Sequence, residues 1–451
     1  MQEPKVSQRD QFVSKIGFIL AAAGSAVGLG NIWRFPYLAG KNGGGAFVLF
    51  YLSCVIVLGF GLMLAEFVIG RHTQLSSVDA FKKLDKRFTF VGGMGVLAAF
   101  IIMGYYPVVG GWSVAYIFKT LFGELSTDAA VMGGAFDSLI EGMFSPIFWT
   151  AIYMIANIVI VVKGISTGIE RASKVMLPTL FGLLIILVIR SLTLPNAVEG
   201  LRYLFVPDFS KLTGDVMMAA LGQAFFSLSL GMGCMITYAS YLSKKENLVE
   251  NATIVPILDT LVALLAGVVI IPATVSFGFD LDSGPGLVFV TVPAIFATMG
   301  PIIGRIFGFI FFFMIAIAAL TSSLSLLEVV VSYLIDNRGW DRKKAVTITS
   351  IILFIICIAS SLSMGIWKDK KLMDMNIFDL LDWFANNVLL PLGGIFITLF
   401  VGWFWDKDKV KAEVTNDGSI KFTLFNVWIF LCRFIIPIII LLVLLRGIGL
   451  I

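Results

Sequence analysis

Apolar runs about 20 residues long recur along almost the whole chain, separated by short charged loops. In hydrocarbon every backbone polar group must be satisfied internally, so only helices and closed barrels can span. No stretch shows the ten-residue alternation of a membrane barrel, and the pattern therefore predicts an all-α polytopic membrane protein. Composition agrees: 58% of the 451 residues are hydrophobic and 14% charged, where soluble domains carry about half and a quarter. The first apolar run is too long for a cleavable signal and is expected to remain as a span.

We place about eleven spans at roughly 12–38, 43–70, 88–119, 145–163, 170–190, 214–242, 250–277, 301–335, 345–366, 377–405 and 423–448. Basic residues cluster in alternate loops: Lys5, Arg9 and Lys15; Arg71, Lys82, Lys83, Lys86 and Arg87; Lys163, Arg171 and Lys174; Lys244 and Lys245; Arg338, Arg342, Lys343 and Lys344; Lys407, Lys409, Lys411 and Lys421. The positive-inside rule makes these loops cytoplasmic, with the N-terminus inside a cell membrane and, for an odd number of spans, the C-terminus outside. Lys368, Lys370 and Lys371 run against the rule. The longest external loops are expected at 120–144 and 191–213.

Several classes are excluded early. The net charge of +4 is dispersed over loops and gives no reason to expect nucleic acid. Cys54, Cys234, Cys357 and Cys432 all fall in apolar spans, with neither disulfide nor metal spacing. The single histidine, His72, argues against a histidine metal site or catalytic triad. Loops carry no paired catalytic carboxylates, nucleophile–base motif or nucleotide loop, so a membrane enzyme is not expected. The sequon at Asn251-Ala252-Thr253 falls on the cytoplasmic side.

Two spans are weakened in the middle. Span 1 carries Gly24, Gly28, Gly30 and Asn31; span 6 carries Ser227-Leu-Ser-Leu-Gly-Met-Gly233. Glycine costs about 1 kcal/mol against alanine in a helix interior. The two spans lie five apart and so cross in opposite directions. Gly-interrupted spans at matching positions of two inverted halves point to a secondary transporter's central site, although a lone glycine pair also serves close helix packing. Unwinding exposes carbonyls and helix ends at mid-membrane. The half-helix beginning near Gly30 turns its N-terminus toward the break, which suits a carboxylate, while the carbonyls of Gly24, Ala26 and Val27 and the side-chain oxygen of Asn31 suit a hard cation such as Na⁺.

The stretches GSAVGLGNIWRFPYLAGKNGGGAF (24–47), GQAFFSLSLGMGCMITYASYL (222–242) and ALTSSLSLLE (319–328) resemble the first, sixth and eighth helices of the neurotransmitter:sodium symporter family. The likeness runs in order along essentially the whole chain and points to the bacterial, eleven-span amino-acid branch. It implies two inverted five-helix repeats with broken first helices. We divide the chain into a cytoplasmic segment 1–11, a first repeat 12–190, an external loop 191–213, a second repeat 214–405, a cytoplasmic loop 406–422 and a last span with its tail, 423–451.

The resemblance implies two sodium sites. One uses Ala26, Asn31, Ser227 and Asp259, with the substrate carboxylate as a further ligand; the other uses Gly24, Val27, Ala318, Thr321 and Ser322. Relatives often have Asn where this chain has Asp259, and in chloride-dependent relatives a bound chloride supplies the negative charge; transport here is therefore expected to be chloride-independent. The substrate pocket is expected at Ser25, Ala26, Leu29, Gly30, Ile102, Tyr106, Phe226, Ser227, Ser229, Met232, Ser322 and Leu326, with Tyr106 on the carboxylate and Phe226 as the outer cover. Monoamine carriers bear an acid at the position of Gly28, so a glycine there requires a substrate with its own carboxylate. The apolar remainder and the adaptable Met232 favour hydrophobic L-amino acids, aliphatic and aromatic. An outer gate is expected from Arg34, Asp382 and Gln223, and an inner gate from Arg9, Asp336, Phe12 and Tyr241. The spacing of Gly168 and Pro178 resembles members in which the cytoplasmic part of span 5 unwinds to release the second sodium. The expected activity is sodium-coupled amino-acid symport across a lipid bilayer; an amino-acid-gated channel or a non-transporting sensor on the same fold is the alternative.

Overall fold

The computed structural model describes residues 10–278 and 286–450. Among the described residues, eight helices are long and apolar enough to cross a membrane: α2 (Gly45–Thr73), α3 (Lys86–Phe122), α5 (Ile165–Leu192), α7 (Leu248–Ser276), α8 (Ile303–Arg338), α9 (Arg342–Leu362), α10 (Ile377–Phe404) and α11 (Phe425–Gly447). Three shorter or broken apolar segments lie where the sequence predicts spans 1, 4 and 6, and counting each bent pair as one span raises the number among the described residues to ten at most. α4 (Ser145–Val161) is short. α1 is made of halves Lys15–Ala26 and Gly30–Lys41, bent by 53°. α6 is made of Gly214–Ser227 and Cys234–Ala239.

Helix starts follow the local chemistry. Side chains of Ser14, Thr213, Asn247, Asp341 and Asn376 accept backbone N–H groups in the first turns of α1, α6, α7, α9 and α10, each satisfying a donor that a helix leaves unpaired. The stretches at 120–144 and 191–213 are not plain loops. They fold into helices Ala129–Ile140 and Ala197–Phe205. The second buries Ala197, Gly200 and Leu204 and packs on α7, an amphipathic face that gains only from a neighbour and so is invisible in an isolated loop.

α1, α2, α6 and α7 pack on one another, while α8 packs on α3 and α4. The break in α6 lies between these groups. Residues 228–233 leave helical geometry, and Ser229, Gly231 and Gly233 take φ of +54°, +78° and +76°. Gly231 needs its missing side chain twice over: φ is in the left-handed region, and a Cβ would stand 2.4 Å from the Leu390 carbonyl of α10. Its N–H donates to Glu66 Oε1 of α2 at 2.7 Å, one of the amides that the unwound segment could not satisfy from within.

On the face carrying the N-terminal segment, the chain is fastened shut. Glu170 at the start of α5 accepts the Val13 amide at 2.7 Å and the Ser14 hydroxyl at 2.9 Å, and pairs with Lys174 at 2.7 Å. Asp10 accepts the Ile165 amide at 2.6 Å. α5 is wound throughout: Gly168 lies in a π-turn at Ile165–Glu170 and Pro178 inside the following α-helix.

Candidate functional site between the broken helices

The two breaks face each other and enclose one narrow cavity of about 40 Å³. All twelve residues expected to bind substrate line it, joined by Gly28 and Tyr105. One end is polar. The Leu29 amide donates to the Tyr106 hydroxyl at 3.4 Å, and the Ser229 hydroxyl donates to the Ser25 carbonyl at 2.8 Å. The remainder is walled by Ile102, Phe226, Met232 and Leu326. A side chain at Gly28 would have to displace its neighbours: a Cβ would stand 2.5 Å from Ser322 Oγ and 2.9 Å from the Tyr106 hydroxyl.

Beside the cavity, Asn31, Ser227 and Asp259 form a closed triangle. Asn31 Nδ2 donates to Asp259 Oδ1 at 2.7 Å and to Ser227 Oγ at 3.0 Å, and Ser227 Oγ donates to Asp259 Oδ2 at 2.8 Å. Asn31 Oδ1 accepts the Gly28 amide at 2.9 Å, which ties the triangle to the break. Asp259 has no measurable exposure, and its hydrogen-bond partners Asn31 and Ser227 are neutral. A carboxylate at that depth calls for a cation; the donor set is all oxygen once the Asn31 amide turns over, as a hard cation requires. Deeper, Ser322 Oγ donates to the Val27 carbonyl at 3.0 Å and Thr321 Oγ1 to the Ala318 carbonyl at 2.9 Å. Gly24 packs against Thr321. Five oxygen-bearing positions thus converge from α1 and α8, with carbonyls at a helix end, the usual surroundings of a transported cation.

The expected gates are placed with differences. Arg34 lies with its guanidinium 4.6 Å above the Phe226 ring, and that ring covers Gly30. Among the described residues no ion pair joins Arg34 to Asp382; Asp382 instead accepts from Asn386 Nδ2 at 2.7 Å. Gln223 does not reach outward: it is buried and donates to the Gly30 carbonyl at 2.9 Å, which also accepts the Phe35 amide across the π-turn Gly30–Arg34. On the opposite face, Phe12 donates its amide to the Tyr241 carbonyl at 3.1 Å and stacks edge-on against Phe18, Tyr238 and Tyr241. Asp336 accepts the Ser76 amide at 2.7 Å. Arg9 lies outside the described residues.

Sequence reasoning passed over three acids. Glu66 is fully buried; a charged residue inside an apolar span was the available signal. Glu328 is buried, pairs with Arg342 and accepts the Tyr241 hydroxyl at 2.7 Å. Glu413 binds Arg71 at 2.7 Å. Asn251 of the sequon is fully buried, which closes it to modification in the folded chain.

The sequence matches the model of the "Sodium:neurotransmitter symporter family" over residues 9–131 and 141–450. The chain is 42% identical to the "uncharacterized sodium-dependent transporter YhdH" of Bacillus subtilis, over 97% of this chain and 98% of that one. It is 26% identical to the rat "sodium- and chloride-dependent GABA transporter 2", over 92% of this chain and 76% of that protein. In structure it resembles MhsT, solved in complex with L-phenylalanine, with a TM-score of 0.89 and 46% identity, covering 97% of this chain and all of the other.

Proposed function

This chain belongs to the sodium:neurotransmitter symporter family, a family of multi-pass, sodium-dependent membrane transporters and not of enzymes, and from that premise we propose that it imports hydrophobic L-amino acids, aliphatic and aromatic, by alternating access without chloride. The observation that carries the reading is the cavity between the two breaks: oxygen and amide groups at one end, Ile102, Phe226, Met232 and Leu326 at the other. An amino acid matches both ends at once. Its carboxylate meets the Tyr106 hydroxyl and the amides after the α1 break; its ammonium meets carbonyls near Phe226 and Ser229; its apolar side chain takes the rest. MhsT, solved with L-phenylalanine, supports a substrate of that class. Gly28 supplies no acid, and an acidic side chain there would crowd Ser322 and Tyr106, so in this reading the carboxylate arrives with the substrate.

Two sodium ions travel with it in this reading. The first takes Ala26, Asn31, Ser227 and Asp259 plus the substrate carboxylate, which couples cation and amino acid through direct charge contact. Asp259 supplies a fixed negative charge and removes the need for chloride. The second takes Gly24, Val27, Ala318, Thr321 and Ser322 and braces α1 against α8. A cavity of about 40 Å³ holds a water molecule, not an aromatic side chain. Widening falls on residues 228–233, whose backbone is already free of the helical ladder. From the cytoplasmic side, where the reading puts the N-terminus, release requires the Phe12–Tyr241 contact to part, and unwinding of α5 between Gly168 and Pro178 opens a water path to the second ion.

Uptake of labelled leucine and tryptophan into proteoliposomes, with and without an inward sodium gradient, tests the proposal. Concentrative uptake that needs sodium and survives gluconate in place of chloride is expected. Preference for glutamate, lysine or glycine over leucine and tryptophan would overturn the substrate class, and current far above the amino-acid flux would turn the reading to a channel.

A further inference from the structure

A second cavity, of about 730 Å³, opens away from the transport site on the membrane-facing side of α2 and α7. Ile56 and Phe60 of α2, Thr253 and Ile257 of α7, and residues 421–424 ahead of α11 form its walls. Ile56, Ile257 and Leu424 are 72%, 58% and 60% exposed, so the slot faces hydrocarbon. Along α7 it runs from Val249 to Leu264, about 22 Å at 1.5 Å per residue. One leaflet is about 15 Å deep. The slot therefore accepts a fully extended acyl chain from the face that carries the N-terminal segment.

The mouth on that face is positive. Lys421 lines it, is exposed, and makes no ion pair among the described residues. Lys407, also without an ion pair there, stands 6.0 Å over the Phe425 ring. Phe425 contacts Phe422 at 6.4 Å, and Phe422 meets Phe60 across the slot at 6.2 Å. The acid at the start of α7, Glu250, is held by Lys15 at 2.6 Å. An apolar slot with the Lys421 ammonium on its wall, and that of Lys407 over the neighbouring Phe425 ring, complements an amphiphile with a negative head. A sterol fills the slot but leaves the lysines unmatched, and a zwitterionic lipid repays them only in part.

We infer that this groove binds one anionic phospholipid, its acyl chain between α2 and α7 and its phosphate at Lys421. The site goes beyond the transport reading and needs neither substrate nor sodium. Its far end includes Thr260, the residue after Asp259, so the occupant braces the helix that carries the buried carboxylate.

Native mass spectrometry of the full chain, extracted from bilayers of mixed phosphatidylglycerol and phosphatidylcholine, tests the inference. One retained phosphatidylglycerol per chain is expected, favoured about fivefold over phosphatidylcholine for each lysine engaged. Replacing both lysines, Lys407→Gln with Lys421→Gln, should bring the preference close to one while lipid is still retained. Thr253→Trp, at an exposed position on the slot wall, should release lipid of either kind. Equal retention of the two lipids by the unaltered chain overturns the inference, as does a preference untouched by the lysine pair. Lipid retained in full by Thr253→Trp overturns it too, and a dimer that this substitution breaks assigns the groove to a second copy instead.

Discussion

The amide of Asn31 and the carboxylate of Asp259, 228 residues apart in the chain, meet at 2.7 Å in a fully buried position. One comes from the break in α1 and the other from an unbroken helix, so the contact joins the segment that must rearrange to one that need not. In the proposed reading an acid there serves as a permanent counter-charge. Asp259→Asn keeps the shape and removes the charge. Loss of a charge-assisted hydrogen bond, about 1.5–3 kcal/mol, should lower sodium-driven uptake by about tenfold or more. Chloride should partly restore uptake in the variant and have no effect on the unaltered protein; side-by-side uptake in chloride and gluconate media reads both.

Gly28 is set by sterics before charge. Because a Cβ already stands 2.5 Å from Ser322 Oγ, Gly28→Ala and Gly28→Asp should both depress amino-acid uptake, the second more. Equilibrium binding of labelled leucine should weaken in parallel with uptake. Normal affinity in Gly28→Ala would show that Ser322 and Tyr106 yield, and would remove the steric argument for a substrate-borne carboxylate.

The breaks were legible because glycine and asparagine are locally unsuited to an apolar helix, and no tertiary knowledge is needed to see it. Asn31 was legible locally as an oxygen at the break, but its pairing with Asp259 only through the resemblance, since nothing local links residues so far apart. Arg34 and Asp382 illustrate a limit of another kind. Topology puts both near one end of the cavity, but whether they touch depends on rotamers, and here Arg34 lies on Phe226 while Asp382 turns to Asn386. Glu66 was passed over because its partner, the Gly231 amide, exists only once the α6 break has formed. Glu413 reads as a solvated loop charge until the 407–414 helix docks on the end of α2.

Arg34 covers the Phe226 ring at 4.6 Å, and in the proposed reading it acts through that ring on the pocket cover. A cation over an aromatic face contributes about 0.5–2 kcal/mol, small enough to be broken in each cycle. Arg34→Gln should cut uptake severalfold and speed the release of bound amino acid, while sodium binding in the absence of substrate stays close to that of the unaltered protein. Retained uptake with unchanged release rates would remove Arg34 from the gate.

Glu413 carries a pH dependence whose sign follows from its partners. Burial alone would raise its pKa, but the hydrogen bond from His72, the guanidinium of Arg71 and the ammonium of Lys244 outweigh burial and hold it at about 2, below its ordinary 4.5. Arg71 Nε lies 2.7 Å from Oε1, His72 Nδ1 2.9 Å and Lys244 Nζ 3.2 Å from Oε2. A carboxylate with a depressed folded pKa adds stability that is complete above the unfolded pKa and vanishes as pH falls through the folded one. The window is therefore about pH 4.5 down to about 2. Thermal melting of the detergent-solubilised protein should shift downward as pH is lowered into that window. Glu413→Gln should melt lower at pH 7, leaving Arg71 buried beside a neutral amide, and should lose most of the acid-dependent shift. Equal steepness in both proteins across the window would show that other carboxylates, not this one, set the acid limit.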